Sequence, residues 1–397
     1  MTWPSVDINA INGNSGEVSG VEQIMLFVGL AGESLGDSHP LLAVSAESDI
    51  DDVLAKASPN LLEQVRAAQL NGGQNWGAYV LMAEELAEQD PENPEDTQVS
   101  APDWLSNIEL ALSKVGVEGV LLCDDITDKS AGQTRINALQ ALRASVISAL
   151  GRRVWFITTV ASPTALETPL DWAGYREFLN DLQDGIKADA VQLVPSLWGN
   201  EAGVLAGRLC NRAVTVADSP ARVATGELLG LGIDSSDLPV DKDGVEISLA
   251  YLKAFESIRY SVPMWWADYE GMYWADGRTL EAKGGDYESI EYLRIMDKVA
   301  RRTRLLAIPK VANRTLNTTP VSIETHKNYF GRTLREMSRT TQLGGVTFPG
   351  EVEPPEDGDV TITWLTKTHV VIGIMATPYG CPKQITVNIG LDRSLEE

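Results

Sequence analysis

The sequence is poor in the residues that most often carry chemistry, with only three cysteines and three histidines among 397 residues. These residues are scattered and show none of the close spacings of metal ligands, so no metal site is predicted. Cys123, Cys210 and Cys381 are odd in number and widely separated, which favours buried thiols in a reducing cytosol over a disulfide framework. No glycine-rich phosphate-binding motif follows a strand, so no cofactor is expected.

Long hydrophobic runs are also absent, because no apolar run approaches the roughly 20 residues that a membrane helix needs. The first residues, Met1 to Pro4, carry neither the basic region nor the apolar region of a signal peptide. The sequence therefore predicts neither membrane insertion nor secretion.

Basic residues are few relative to acidic ones, and the formal net charge of -24 argues against a dedicated nucleic-acid-binding protein. The charge is also unevenly distributed. Residues 1–100 hold 17 acidic and 2 basic side chains, whereas residues 294–339 hold 11 basic and 3 acidic ones. This polarity favours head-to-tail packing of copies, or docking of the basic region onto an acidic partner.

Compact apolar runs alternate with helical patterns through the first 240 or so residues. Strands that alternate with helices predict an α/β fold, with a mostly parallel sheet and helices on both of its faces. Gly151 is expected to end the third helix, and the acidic, proline-rich residues 86–102 are expected to form a surface loop. The predicted strands are 23–31, 117–124, 153–160, 190–195 and 213–217, and the predicted helices cover 61–70, 104–112, 136–150 and 172–182.

The pattern changes after about residue 240, where two amphipathic helices and short strands predict an α+β region. The first helix is predicted to start at an N-cap, Asp286, and the second to run from Ser322 to Arg339. Each helix carries a basic stripe beside its apolar face, which we interpret as a surface that docks onto an acidic partner. The residues of this basic stripe are Arg294, Lys298, Arg301, Arg302, Arg332, Arg335 and Arg339.

Short runs of alternating apolar and polar residues lie near both ends of the sequence. Two further strand-like runs, 360–364 and 369–375, precede the last of them. Strands at the two ends indicate extended arms that pair with other copies of the chain. We therefore expect a polymer-forming protein rather than an enzyme, with no catalytic residue. The residues predicted to exchange strands between subunits are Val6, Ile8, Ala10, Ile385, Val387, Ile389 and Leu391.

One alternative is an α/β hydrolase, because residues 32–36 match G-x-S-x-G after a predicted strand. Ser34 would be the nucleophile, and the base would be His326 or His369. That motif requires a helix directly after the serine, whereas this sequence continues with Asp-Ser-His-Pro. A plain loop is the better interpretation.

Two other patterns also favour structural roles. Asp124 and Asp125 end a predicted strand, but no further carboxylate is tied to them for a Mg²⁺ site. The aromatic patch at 265–274 lacks the interleaved basic residues of a nucleic-acid surface. We expect this patch to pack in the core or between subunits.

Several segments resemble the tail sheath proteins of contractile-tailed bacteriophages, and in particular a divergent branch filed as a family of unknown function. One of them is Gly-Val-Leu-Ala-Gly-Arg-Leu-Cys-Asn-Arg at 203–212. The resemblance covers nearly the whole chain and is densest from about residue 200 to 391. The other matching segments are 217–226, 273–280, 284–301, 334–338 and 348–351.

The resemblance implies a virion protein, assembled in the host cytoplasm, that forms hexameric rings stacked helically around a tail tube. Its partners would be further copies of itself, the tail tube protein, and the baseplate and tail terminator proteins. Its contraction would drive the tube through the host envelope. The basic stripe would face the tube, and the acidic first hundred residues would lie outside. The implied domains are an N-terminal arm (1–20), an α/β outer domain (21–240), an α+β inner domain (241–380) and a C-terminal strand and arm (381–397).

Two further alternatives stay open from the sequence. The chain could be a sheath component of a non-phage contractile machine, such as a secretion system or a bacteriocin particle. It could also be a soluble monomeric binding domain.

Overall fold

The computed structural model describes residues 20–36, 41–89, 97–233 and 237–391 of the chain. Buried apolar side chains form two clusters in the described residues. The larger cluster lies between residues 25 and 293, and the smaller one is built mainly from residues 295–376.

The larger cluster surrounds a sheet with helices on both faces. The strands of this first part are β1 (Met25–Leu30), β2 (Leu41–Ser45), β3 (Gly77–Ala83), β4 (Leu86–Gln89), β5 (Thr97–Ser100), β6 (Gly119–Ile126), β7 (Trp155–Val160) and β8 (Val191–Pro195). Its helices are α1 (Ile50–Val53), α2 (Pro59–Gly72), α3 (Trp104–Lys114), α4 (Lys129–Leu150), α5 (Trp172–Gln183), α6 (Glu201–Leu209) and α7 (Leu249–Ser257).

Six of these strands form one sheet in the order β2-β3-β1-β6-β7-β8. Every neighbouring pair is parallel except β2 and β3, which are antiparallel. The first four side chains of β1 have no exposed surface, because helices cover both faces of the sheet. The predicted α/β class with a mostly parallel sheet is confirmed.

Most of the predicted elements of this part are confirmed, including the helix that ends at Gly151, which has a left-handed φ of 66°. The predicted strand at 213–217 is wrong: the segment forms turns, and the Thr215 N–H and hydroxyl both donate to Asp218. The predicted loop at 86–102 contains the hairpin β4–β5.

Helices α2 and α6 approach each other until their backbones touch. A Cβ added at Gly203 would lie 2.1 Å from the backbone oxygen of Gln64, and one at Gly207 would lie 2.4 Å from that of Ala68. Only glycine fits at these two positions, which explains part of the Gly-rich segment 203–212 in structural terms.

In the second part, helices contact one another and the hairpin of the last two strands, whereas the first hairpin and the start of the first helix pack with the larger cluster. Its elements are β9 (Pro263–Trp266), β10 (Tyr269–Trp274), α8 (Ile290–Ala307), α9 (Pro320–Phe330), α10 (Arg332–Met337), β11 (Thr341–Leu343), β12 (Val346–Phe348), β13 (Val360–Thr366) and β14 (His369–Ile374). None of the helices in the described ranges is long and apolar enough to cross a membrane.

Two predictions about these helices are wrong. The N-cap of α8 is Ser289 rather than Asp286, and it makes no side-chain capping hydrogen bond. The second helix is two helices, α9 and α10, which are divided at Gly331. Glycine has a low helix propensity, so it is a favourable place for such a break.

Candidate functional site

The hairpin of β13 and β14, here called the terminal hairpin, has side chains that alternate between the core and the surface. Val360, Ile362 and Trp364 pair across the two strands with Ile374, Ile372 and Val370. These six apolar side chains pack with the smaller core cluster, beside Phe330 and Leu334. The alternate positions, such as Thr361 and Thr363, are exposed. The hairpin therefore has one apolar inner face and one polar outer face.

The terminal hairpin has open edges. Within the described ranges its sheet consists of β13 and β14 alone. The outward N–H and C=O groups of each strand can therefore pair with a further strand. Exposed sheet edges commonly pair in this way with another chain.

Residues 384–391, here called the terminal segment, follow the hairpin and form no helix or strand in the structure. Ile385, Val387, Ile389 and Leu391 are 76%, 73%, 92% and 78% exposed. Four apolar side chains at two-residue spacing would share one face of an extended strand. Such a concentrated exposed apolar row marks an interaction site. The other predicted exchange residues, Val6, Ile8 and Ala10, lie outside the described residues.

The chain just before this segment, residues 377–383, is here called the root, and it is bound to the body. The Glu353 N–H donates to the Thr377 oxygen at 2.8 Å. The Lys383 ammonium lies 2.7 Å from each of three oxygens, which belong to Asp276, Ser289 and Glu291. Burial would lower the pKa of Lys383, but the carboxylates of Glu291 and Asp276 raise it above its ordinary value.

The α8 part of the basic stripe is paired inside the chain. Arg294 donates to both oxygens of Glu118, at 2.7 and 3.0 Å, and to the Leu209 oxygen at 2.8 Å. The two side chains are 1% and 0% exposed. A side chain at this depth has no surface to offer another molecule. We therefore correct the assignment of Arg294 from tube-facing to structural.

Lys298 and Arg301 are also turned inward, each with 12% of its side chain exposed. Lys298 binds Glu351 at 2.6 Å, and Arg301 binds Glu22 at 3.3 Å. The acidic Asp297, on the same helix, accepts bonds from Arg143 at 2.8 and 2.9 Å. Helix α8 is thus joined by ion pairs to the parallel-sheet part of the chain.

The remaining four stripe residues, Arg302, Arg332, Arg335 and Arg339, form a surface feature here called the arginine cluster. The last three are exposed and Arg302 is half-buried. Arg332 donates to Glu336 at 2.6 Å, and this hydrogen bond lowers the pKa of Glu336. The charges of Arg302 and Arg339 lower that pKa further, so these two arginines and Arg332 lie around one carboxylate, whereas Arg335 donates to the Asn328 oxygen.

The sequence matches two family models that together span most of the chain. Residues 3–278 match the DUF2586 N-terminal domain and residues 286–394 match the DUF2586 C-terminal domain. A protein assigned as a tail sheath protein of Haemophilus phage HP1 (strain HP1c1) is 47% identical over 391 residues, covering 98% of each chain. This chain belongs to the DUF2586 family of tail sheath proteins.

Solved sheath structures share the fold of this DUF2586 chain. The sheath complex of an extracellular contractile injection system, PVC, in its contracted state gives a TM-score of 0.60 at 14% identity, over 99% of both chains. The contracted helical sheath of the anti-feeding prophage gives 0.57 at 14% identity, over 99% of this chain and 100% of that one. A sheath tail protein from Desulfitobacterium hafniense gives 0.52 at 11% identity, over 93% and 96%.

The hydrolase alternative finds no support in this DUF2586 protein. The Ser34 hydroxyl donates to Glu84 at 3.0 Å, and the next described element after β1 is strand β2 rather than a helix. His326 contacts the Ser322 oxygen at 2.8 Å, and His369 begins strand β14. Among the described residues, the motif therefore shows no strand-turn-helix setting of the kind that exposes a nucleophile.

The aspartates at the end of β6 have structural partners. Asp124 accepts hydrogen bonds from Arg135 and from the Trp104 indole, and Asp125 accepts one from Ser196 at 3.2 Å. In the part of the chain that the structure describes, no group of three or more potential ligands is placed to hold a metal ion.

The aromatic patch divides between core and surface. Trp274 and Tyr273 are buried, whereas Trp266 and Tyr269, near the tip of the β9–β10 hairpin, are 49% and 55% exposed. The expected packing role holds for the buried pair.

Sequence reasoning missed the residues that hold the α8 stripe and the root. Glu118, Asp276 and Glu291 are all buried carboxylates with basic partners. Glu118 lies 176 residues from Arg294 and Asp276 lies 107 residues from Lys383. No local spacing signals such distant pairs.

Proposed function

We propose that this chain is the structural subunit of a contractile phage tail sheath. It polymerises as stacked hexameric rings around a tail tube and contracts by rigid-body rearrangement of its subunits. One observation carries the proposal: the same chain has an exposed apolar strand-like segment and a half-buried hairpin with open edges. A terminal segment from one copy completes the terminal hairpin of a neighbour.

The pattern of the terminal segment suits this pairing. Its four apolar side chains alternate with Thr386, Asn388 and Gly390, in the same way that the hairpin alternates inner and outer positions. Added in register, the apolar row continues the inner face of the hairpin. Each backbone hydrogen bond contributes roughly 0.5–1.5 kcal/mol net, and each fully buried aliphatic side chain about 1.5–3 kcal/mol.

We propose the same strand exchange with a neighbouring copy for the N-terminal arm, residues 1–20. Its pairing strand would contain Val6, Ile8 and Ala10. The outer domain is then 21–240, the inner domain 241–380 and the C-terminal arm 381–397. The ion pairs of α8 with the parallel-sheet part support a subunit that moves as one body, because buried charges separate only at a high cost.

The arginine cluster is proposed to face the tail tube. Its charges lie on the surface near α10, and surface ion pairs of about 0–1 kcal/mol each are weak enough to break together during contraction. The baseplate and tail terminator proteins would contact the two ends of the polymer. A structural likeness to the anti-feeding prophage baseplate assembly, at a TM-score of 0.57, is compatible with that arrangement.

A phage is favoured over another contractile injection system as the source of this sheath. The phage relative is 47% identical, whereas the injection-system chains are 14% identical. Assembly in the host cytoplasm and incorporation into the virion follow from this choice. A structural rather than enzymatic role also agrees with the relative's name and with the setting of Ser34.

Self-assembly of the purified chain tests the proposal most directly. We expect the full-length protein to sediment as large particles at micromolar concentration and to form rings or tubes in electron micrographs. A single monomeric species at every concentration and salt condition tried would refute the sheath assignment.

Charge reversal of the arginine cluster should weaken tube binding while leaving self-assembly intact. We expect Arg332→Glu, Arg335→Glu and Arg339→Glu together to lower co-sedimentation with the tube protein at least tenfold, because attraction to an acidic tube becomes repulsion. Sheath polymers formed without the tube should keep their yield.

A matched variant reverses three exposed lysines elsewhere: Lys242→Glu, Lys253→Glu and Lys283→Glu. It changes the net charge by the same amount, so it controls for general repulsion. Equal loss of tube binding in both variants would show that the arginine cluster is not the tube-facing surface.

A further inference from the structure

Lys383 has an unusually complete set of partners for a lysine so close to an exposed chain segment. An ammonium group has three N–H donors, and Asp276, Ser289 and Glu291 each offer one oxygen at 2.7 Å. The Lys383 side chain is 33% exposed, whereas those of Asp276 and Glu291 are 8% and 3% exposed. The lysine therefore reaches from the surface into a buried polar site.

The acceptors belong to the body of the subunit and are held in place without the lysine. Asp276 accepts the Gly277 N–H at 2.8 Å, and Ser289 and Glu291 lie at the start of α8. Burial raises the pKa of Glu291, and the charge of Lys383 opposes that rise. Asp276 also has Arg278 at 3.9 Å, but the ion pair of the buried Glu291 in the described residues is with Lys383, so the site holds Lys383 strongly.

The contacts of Lys383, here called the anchor, separate a part of the chain that is bound to the body from a part that is not. Before it, the root is held at three places: the Thr377 oxygen bonds to Glu353, Pro378 bridges to Val352, and the Cys381 thiol lies 3.8 Å from the Ala217 oxygen. After it, residues 384–391 make no hydrogen bond or ion pair with the other described residues, and all of them are exposed. Lys383 is thus the last fixed point before the terminal segment.

We propose that Lys383 is the positioning residue that sets where the terminal segment leaves the subunit, and so sets the spacing between subunits joined by that segment. This inference rests on the proposed strand exchange. From Lys383, the eight residues to Leu391 reach about 26 Å when extended. Without Lys383, the nearest backbone contact back along the root is the Pro378 bridge to Val352, from which thirteen residues would reach about 43 Å. The anchor removes that slack.

The test replaces Lys383 with methionine, which keeps the length of the side chain and removes its charge. The matched control is Lys283→Met, because Lys283 is an exposed lysine near the start of α8. Two measurements are made on the full-length variants. The first is the rate at which Cys381 reacts with Ellman's reagent below the polymerisation concentration, since Cys123 and Cys210 are buried. The second is the order of the polymers in electron diffraction.

We expect Lys383→Met to raise the Cys381 reaction rate at least fivefold. The thiol is already exposed, but partial burial and the charge of Glu291 raise its pKa, and release of the chain around it would remove both effects and increase the thiolate fraction. Polymers should still form, since the apolar row is unchanged, but their layer lines should be weak or lost. Lys283→Met should match the unaltered protein in both measurements. If Lys383→Met behaves like Lys283→Met in both, the anchor has no positioning role.

If Lys383→Met does not fold, a second variant in which the two carboxylates are also neutralised takes its place. Lys383→Met combined with Asp276→Asn and Glu291→Gln leaves no unpaired buried charge, and the same two outcomes apply to it. Failure of the proposed strand exchange would give a different result. A variant with the apolar row of the terminal segment removed would still form normal polymers, while Lys383→Met and Lys283→Met would still differ in the reaction rate of Cys381.

Discussion

Polymerisation should be lost when the apolar row of the terminal segment is made acidic. We expect Val387→Asp with Ile389→Asp to leave the protein monomeric at concentrations where the unaltered chain forms tubes. The reason is that the pairing strand would have to bury two unpaired carboxylates against the inner face of the neighbour's hairpin. Analytical ultracentrifugation measures the loss as a shift from large particles to a single species of about one subunit mass.

The folded subunit should be unaffected by this change. Val387 and Ile389 are 73% and 92% exposed, and substitutions at such surface positions usually alter the free energy of unfolding by no more than about 0.5 kcal/mol. The matched control is Val311→Asp with Val321→Asp, at residues that are 78% and 77% exposed on the body. Tubes from the segment variant that equal those from the control would contradict the exchange of this segment.

Arg294→Met should destabilise the subunit by about 3–5 kcal/mol, the cost typical of leaving a buried charge without its partner. Glu118 would keep its N–H contact from Gln23 but would lose both guanidinium bonds. Urea unfolding measures the change as a lower midpoint at an unchanged slope. The pKa of Glu118 lies below its ordinary value: burial opposes the shift, and Arg294 produces it.

The double variant Glu118→Leu with Arg294→Met separates the lost pairing from lost packing. Removing both charges leaves no unpaired charge at the site, so much of the lost stability should return, less the hydrogen bonds to the Leu209 oxygen and from the Gln23 N–H. Arg335→Met, on the exposed face of α10, is the control and should change the unfolding free energy by less than about 1 kcal/mol. Equal effects of Arg294→Met and Arg335→Met would mean that the buried pair contributes little.

This stability effect matters for any experiment on tube binding. A charge reversal at Arg294 would damage the fold and would reduce every assembly step at once. Tube attachment therefore has to be tested at Arg332, Arg335 and Arg339, whose side chains are on the surface.

The architecture could be predicted from the sequence because its strands coincide with short apolar runs of neighbouring residues. Residues 23–31 and 153–160 are almost continuously apolar, and strands β1 and β7 lie inside them. The terminal hairpin could be predicted in the same way. Residues 360–364 alternate between apolar and polar side chains, and residues 369–375 are mostly apolar. Gly151 ended its helix as expected because glycine alone adopts a left-handed φ at little cost.

The burial of the basic stripe could not be predicted, because helical periodicity shows only which residues share a face. Arg294 and Arg302 have the same local signature, yet one is buried against Glu118 and the other lies near Glu336. The difference depends on which distant element packs on each turn of α8. The start of α8 was misplaced for a related reason: Asp286 is a good N-cap residue, but tertiary packing begins the helix at Ile290.

The bonds of α8 determine how a mechanical pull on the end of the chain would spread through the subunit. Tension on residue 391 first meets the body at Lys383, which is bound to Asp276 and to two residues at the start of α8, Ser289 and Glu291. One turn further along, Arg294 and Asp297 tie that helix to Glu118 beside β6 and to Arg143 on α4. The force would thus pass in two steps, from the terminal segment to α8 and from α8 to the parallel-sheet part, so that the subunit would rotate as one body.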